Sequence, residues 1–177
     1  MKQTVTQKYS GYNKKGRISG ILYFAYLLVA WTAFPSHGIA EEVPEYEEIS
    51  VFLNIQKIGG ADIPAVIVDE TVYLPVADIF TFLKIKNTQS AQMDSVDGFF
   101  INQSATYLVD KVNNRITFQG KVHELKSNDM IKTETALYLK SPYFGQIFGL
   151  DCTFNFRSLS VMMTTKLELP IIREMKQ

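Results

Sequence analysis

The side chains that could do chemistry are few and scattered. From Glu41 onward the chain holds one histidine, His123, and one cysteine, Cys152. A metal centre needs several His, Cys or carboxylate ligands converging on one point, and these two fall in different predicted strands. A Ser-His-Asp triad through His123 would need a serine on a sharp elbow, and no Gly-x-Ser-x-Gly frames any serine. His123 therefore reads as structural or exposed. Gly59-Gly60 reads as a turn, without the run of glycines that cradles phosphate. Asp94 and Asp97 are close in sequence, but their polar neighbours give no apolar pocket to raise a carboxyl pKa. Cys152 sits at strand spacing from Phe154 and Phe156, the pattern of a small buried hydrophobe. Being alone from end to end, it has no intramolecular disulfide partner. The expectation is a protein that is not an enzyme, with no catalytic, cofactor-binding or metal-ligating residues.

Binding is the class that is left. Phe99, Phe100, Tyr107, Tyr138, Tyr143, Phe154 and Phe156 concentrate aromatics in one part of the chain. Strand alternation assigns most of them to a core. Adjacent residues of a strand point to opposite faces, so Phe99 and Phe100 cannot both enter the same layer. An exposed sheet edge or aromatic patch is thus the candidate surface, suited to receiving a partner strand.

The elements that must position such a surface begin after an unusual N-terminus. Residues 1–20 carry Lys2, Lys8, Lys14, Lys15 and Arg17 and no acid. An apolar run of 14 residues follows, Ile21 to Phe34, then Pro35, Ser36 and Gly38-Ile39-Ala40 before Glu41. Basic region, short apolar core and small residues at −3 and −1 describe a secretory signal peptide over residues 1–40. The run is shorter than the roughly 17–25 residues that span a bilayer. All 18 acids lie from Glu41 onward, against 13 of the 18 bases, so the exported part carries an acidic excess. That excess sits in Glu41, Glu42, Glu45, Glu47 and Glu48, an acidic leader over residues 41–49 without apolar periodicity. No basic patch points to nucleic acid.

Beyond the leader the period is mostly that of strands. Val51, Leu53 and Ile55 alternate with polar or aromatic neighbours, and Ile63 to Val68 is β-branched and closed by Asp69-Glu70. Val72 to Leu74 starts a third strand that Pro75 stops. Val76, Ile79, Phe80 and Leu83 then fall on one face of a short helix. Asn87 to Gly98 shows no clear period and reads as a loop. Tyr107 to Val109 and Ile116 to Phe118 flank a hairpin turn at Asn113-Asn114, and Gly120 turns into Val122 to Leu125.

A second copy of the strand-to-helix unit follows. Superposing Tyr73 on Tyr138 brings Leu74 onto Leu139, Ile79 onto Phe144, Leu83 onto Phe148 and Val66 onto Ile131. Here Ser141 is the expected N-cap, Pro142 the first helical residue and Gly149 the stop. The expected fold class is α+β: two β-rich repeats, each a small mainly antiparallel sheet with one short helix. The duplicated domain covers residues 50–165, with repeat one about 50–110 and repeat two about 115–165. Residues 166–177 read as a linker or the start of a following region, with a helix starting at Pro170 that has no partner.

The stretch Pro64-Ala65-Val66-Ile67-Val68-Asp69-Glu70-Thr71-Val72-Tyr73-Leu74-Pro75-Val76, followed by its helix, resembles the copper amine oxidase N-terminal-like domain. That family pairs such units in exported bacterial proteins. No copper chemistry comes with the resemblance, because no ligands stand in the sequence. The ending Leu167-Glu168-Leu169-Pro170-Ile171-Ile172-Arg173-Glu174-Met175 resembles the segment leading into the body of usher-like outer-membrane proteins of Gram-negative bacteria. The resemblance implies a non-catalytic module forming the periplasmic N-terminal region of an assembly or secretion protein. Its partner would be a protein or envelope component, with an outer-membrane barrel downstream in the same polypeptide. The alternative is a free-standing cell-envelope domain that binds glycan, peptidoglycan or protein.

Overall fold

In the computed structural model, residues 46–176 are described. The segment expected to be a signal peptide, residues 1–40, and the expected leader up to residue 45 lie outside them. Twelve strands and three helices are assigned among the described residues, arranged in two sheets. The first three strands are β1 (Glu48–Ile55), β2 (Gly59–Val68) and β3 (Thr71–Pro75). Helix α1 (Val76–Phe82) follows at once, because proline's fixed φ and missing N–H suit the boundary between strand and helix. Then come β4 (Lys86–Gln89), β5 (Ser95–Phe99), β6 (Thr106–Asp110), β7 (Arg115–Phe118) and β8 (Lys121–Glu124). The last part is β9 (Met130–Lys132), β10 (Leu137–Lys140), α2 (Ser141–Phe148), β11 (Asp151–Asn155), β12 (Ser160–Thr164) and α3 (Pro170–Met175).

The α+β class holds, with sheets that are mainly antiparallel. The partition into one small sheet per repeat does not. A seven-stranded sheet runs β11-β12-β1-β2-β3-β10-β9, and a five-stranded one runs β4-β5-β6-β7-β8. Strands from both halves of the chain enter each sheet, because a backbone edge left open in one half is paired by the other. The parallel pairing of β1 with β12 and the antiparallel pairing of β3 with β10 join the halves.

Pairings recur at a constant separation, the 65 residues between Tyr73 and Tyr138. Val66 faces Tyr73 and Ile131 faces Tyr138. Lys86 faces Phe99, and Asp151 faces Thr164. Leu74 itself faces Leu139, its counterpart at that separation, so β3 and β10 pair about these two residues.

The main core lies on one face of the seven-stranded sheet. Val76, Ile79, Phe80 and Leu83 are all fully buried there, the face that the helical spacing predicts. Phe80 stands edge-on to Phe100, Tyr107, Phe144 and Phe148, with ring centroids 5.0–6.4 Å apart. Such T-shaped pairs set the positive ring edge against the negative face of a neighbour. A smaller cluster of Val66, Tyr73, Ile131, Ala136 and Tyr138 occupies the opposite face, with Tyr46 and Val68 against it.

Several local expectations need correction. Residues 87–98 are not a loop but contribute β4 and β5. β4 lies at the rim of its sheet with no residue fully buried, and β5 fully buries only Val96, so the apolar alternation that marks a strand is absent. Gly59 and Gly60 begin β2, and the turn is at residues 56–58, with Lys57 at φ 69°. Gly60 is needed because a Cβ there would stand 2.6 Å from the Leu53 carbonyl oxygen, a backbone atom that cannot swing aside, as well as against the Phe52 ring. Ser141 is the first helical residue and Lys140 the cap, with no side-chain cap bond. Gly149 does stop α2, in the left-handed conformation at φ 71°. The leader ends earlier than residue 49, since Glu48 and Ile49 already pair with Val66 and Ala65. Finally, α3 is not unpartnered: Leu169 is fully buried, and Ile171 and Ile172 pack on the main core.

Candidate binding surface

The residues first considered for chemistry do not come together. His123 lies half-buried on β8, opposite Ile116, at the outer edge of the five-stranded sheet. Cys152 lies on β11 of the other sheet, where its thiol donates to the Leu150 carbonyl at 3.4 Å. Burial, helped by the negative charge of Asp151, pushes the Cys152 pKa up to about 12. The thiol is therefore protonated near neutrality and a poor nucleophile. Asp94 accepts from the Ser90 hydroxyl at 2.6 Å in a turn, while Asp97 faces solvent on β5. Among the described residues no three His, Cys, Asp or Glu side chains are placed to hold a metal ion.

Two polar clusters were not visible in the sequence. Asp129, only 3% exposed, accepts from the Lys126 amide and the Tyr143 hydroxyl, each at 2.8 Å, and pairs with the Lys140 ammonium at 2.9 Å. Burial opposes its ionisation, yet the bonds from Lys140, Lys126 and Tyr143 outweigh it and hold the carboxyl below the usual range. Every one of these donors comes from this chain, so the cluster is closed and ties the loop before β9 to β10 and α2. The sequence offered only Ser127-Asn128-Asp129, a polar loop like any other.

The second cluster lies beside Tyr138. Glu48 accepts from Thr133 Oγ1 at 2.8 Å and Thr135 Oγ1 at 2.5 Å. Burial works against its charge, but these bonds from Thr135 and Thr133 keep its pKa lowered. Asp78 on α1 is raised, by partial desolvation first and then by the charge of Glu48. The fully buried Tyr138 hydroxyl has no hydrogen-bond partner among the described residues. Burial and the nearby Glu48 charge raise its pKa well above the ordinary phenol value.

The open features are sheet edges, which present unpaired N–H and C=O groups. Three of the four are shorter and each carries a lysine: β9 is Met130-Ile131-Lys132, β4 is Lys86-Asn87-Thr88-Gln89 and β8 is Lys121-Val122-His123-Glu124. β11 is the longest, Asp151-Cys152-Thr153-Phe154-Asn155, five residues with no lysine or proline and one charge, Asp151, at its end. The direction of its free groups follows from its neighbours. Phe52 and Gln56 donate to the carbonyls of Leu159 and Met163 at 2.9 and 3.1 Å, so alternate residues of β12 turn toward β1. Ser160, Met162 and Thr164 therefore turn toward Asn155, Thr153 and Asp151. That leaves the backbone groups of Cys152 and Phe154 directed away from the sheet.

Exposed apolar side chains gather at the same end. Phe52 is 46% exposed, Phe156 51%, Leu159 43% and Met162 42%. Phe52 and Met162 lie on the outer face of neighbouring strands, while Phe156 and Leu159 sit in the β11–β12 turn. Phe156 stands edge-on to Phe154, centroids 4.7 Å apart. An unguarded edge beside exposed aromatics can accept a strand by backbone pairing and add apolar contact. No protein-family model, no curated protein and no solved structure matches the chain.

Proposed function

We propose that the chain is an exported, non-catalytic binding module, the periplasmic N-terminal region of an usher-like outer-membrane assembly or secretion protein. Its folded part is a duplicated scaffold that offers the β11 end of the seven-stranded sheet to a protein partner. The observation that carries the binding role is the unguarded β11 edge beside Phe52, Phe156, Leu159 and Met162. The duplication is supported by strand pairings that recur 65 residues apart, from Val66–Tyr73 to Ile131–Tyr138, and by the facing of Leu74 and Leu139. Lys84 and Gly149, the same distance apart, also share the left-handed conformation after their helices. Export is supported by the basic, apolar and small-residue order of residues 1–40.

The placement is tested in cells by blotting the native product and by fusing alkaline phosphatase, active only after export, behind Gln177. An active fusion and a membrane-bound native product much larger than the 20.1 kDa chain are expected. A soluble native product no larger than the chain would remove the usher-like assignment in favour of a free-standing envelope domain. An inactive fusion would remove export altogether.

A further inference from the structure

We infer that the occupant of the β11 edge is the β11 edge of a second copy of this chain, paired antiparallel about Thr153. This rests on the reading of that edge as a binding surface and adds the identity of the partner. Cys152 and Phe154 direct their backbone groups outward, so a strand that pairs here must present two such residues with one between them. β11 of a second copy does so, with Cys152 facing Phe154 and Phe154 facing Cys152 of the other copy. Thr153 then faces Thr153, in the close pairing whose Cα atoms stand about 4.5 Å apart.

The charges agree with this register. Asp151 faces Asn155 of the second copy, so the only charge in the strand never meets itself. Arg157, exposed in the turn that follows Asn155, puts a cation at the end of the strand where Asp151 of the other copy would lie. A parallel pairing in register would instead stack Asp151 on Asp151. The outer-face side chain of Thr153 is small and uncharged, and it leaves Met162, exposed on the adjacent strand, continuous with its counterpart across the junction. The two seven-stranded sheets would join edge to edge, closing both open edges at once.

Two experiments decide the matter. A photoreactive benzoylphenylalanine is placed at position 153 of the full chain and irradiated in the cells that make it. An adduct of twice the chain's mass is the expected result. An adduct with a different protein overturns the second copy while keeping the edge as a binding surface, and no adduct overturns both. Register is then read by disulfide trapping in the full chain carrying Cys152→Ser, which removes the native thiol. Thr153→Cys should cross-link rapidly and Asn155→Cys at least about tenfold more slowly, because only position 153 meets itself at close range. Equal rates at the two positions would overturn the antiparallel register. Thr153→Lys alters an exposed residue, so the monomer should keep its fold. It should weaken self-association tenfold or more by setting two ammonium groups face to face.

Discussion

Asp129 ties together three segments of the chain through Lys126, Lys140 and Tyr143, and its worth can be read from what removal leaves behind. In Asp129→Ala the Lys140 ammonium, the Lys126 amide and the Tyr143 hydroxyl all lose their acceptor. Stranded donors of this kind cost about 2–4 kcal/mol, which chemical denaturation should register as a lower midpoint with an unchanged slope. The pH dependence has a definite sign. The folded pKa of Asp129 is depressed below the ordinary value of about 3.9, so its contribution is fully present above that value. It is lost as pH falls through the folded pKa. Urea melts from pH 6 downward should therefore show the native chain losing stability faster than Asp129→Asn. Parallel curves would mean that Asp129 is no more stabilised in the fold than in the unfolded chain. None of this was legible beforehand. Asp129 stands in a stretch of polar residues, and its burial depends on Lys140 and Tyr143 being carried to it by β10 and α2.

At the scale of elements, the two strand-to-helix units differ most at their helix ends. Gly149 adopts φ 71° at no steric cost, whereas Lys84 adopts φ 59° with a side chain in the way. Lys84→Gly should therefore be neutral to stabilising, by up to about 1 kcal/mol, despite adding a glycine. Gly149→Ala should destabilise by about 1 kcal/mol or more, since its Cβ would also press on Leu167 Cδ1 at 3.3 Å. Thermal melts of the two variants should shift in opposite directions. Helix α1 was legible because Val76, Ile79, Phe80 and Leu83 must share a face at 3.6 residues per turn, and all four are buried. β4 was not, because Lys86-Asn87-Thr88-Gln89 lies at a sheet edge with no residue fully buried. Its strand conformation comes from pairing with β5, a partner that periodicity does not reveal.

At the scale of the whole molecule, the two sheets share one core with Phe80 at its centre. Phe80 is fully buried and meets aromatic rings from the five-stranded sheet, from α2 and from the segment after β5. Phe80→Ala should cost about 3–5 kcal/mol, from lost burial and the cavity left among rings that cannot close over it. Because the halves interleave, that loss should appear as a single unfolding transition rather than as the melting of one half. A biphasic melt would show instead that the two sheets unfold separately. The candidate binding surface belongs to this scale as well. Phe52 and Met162 read as ordinary strand residues, and only the placing of β12 between β1 and β11 sets them side by side and leaves β11 outermost.

The sequence by itself determined the period of each strong element, the turns at Asp69-Glu70, Asn113-Asn114 and Gly120, and the spacing of the two similar units. These depend on local geometry: which residues share a face, and which tolerate positive φ. Tertiary structure decided which strands would be neighbours, and therefore which edge would be open. Backbone hydrogen bonding is the same for every residue type, so the sequence can mark a strand without naming its partner. Asp129 became a buried anchor and β11 an exposed edge for that one reason, the pairing of segments far apart in the chain.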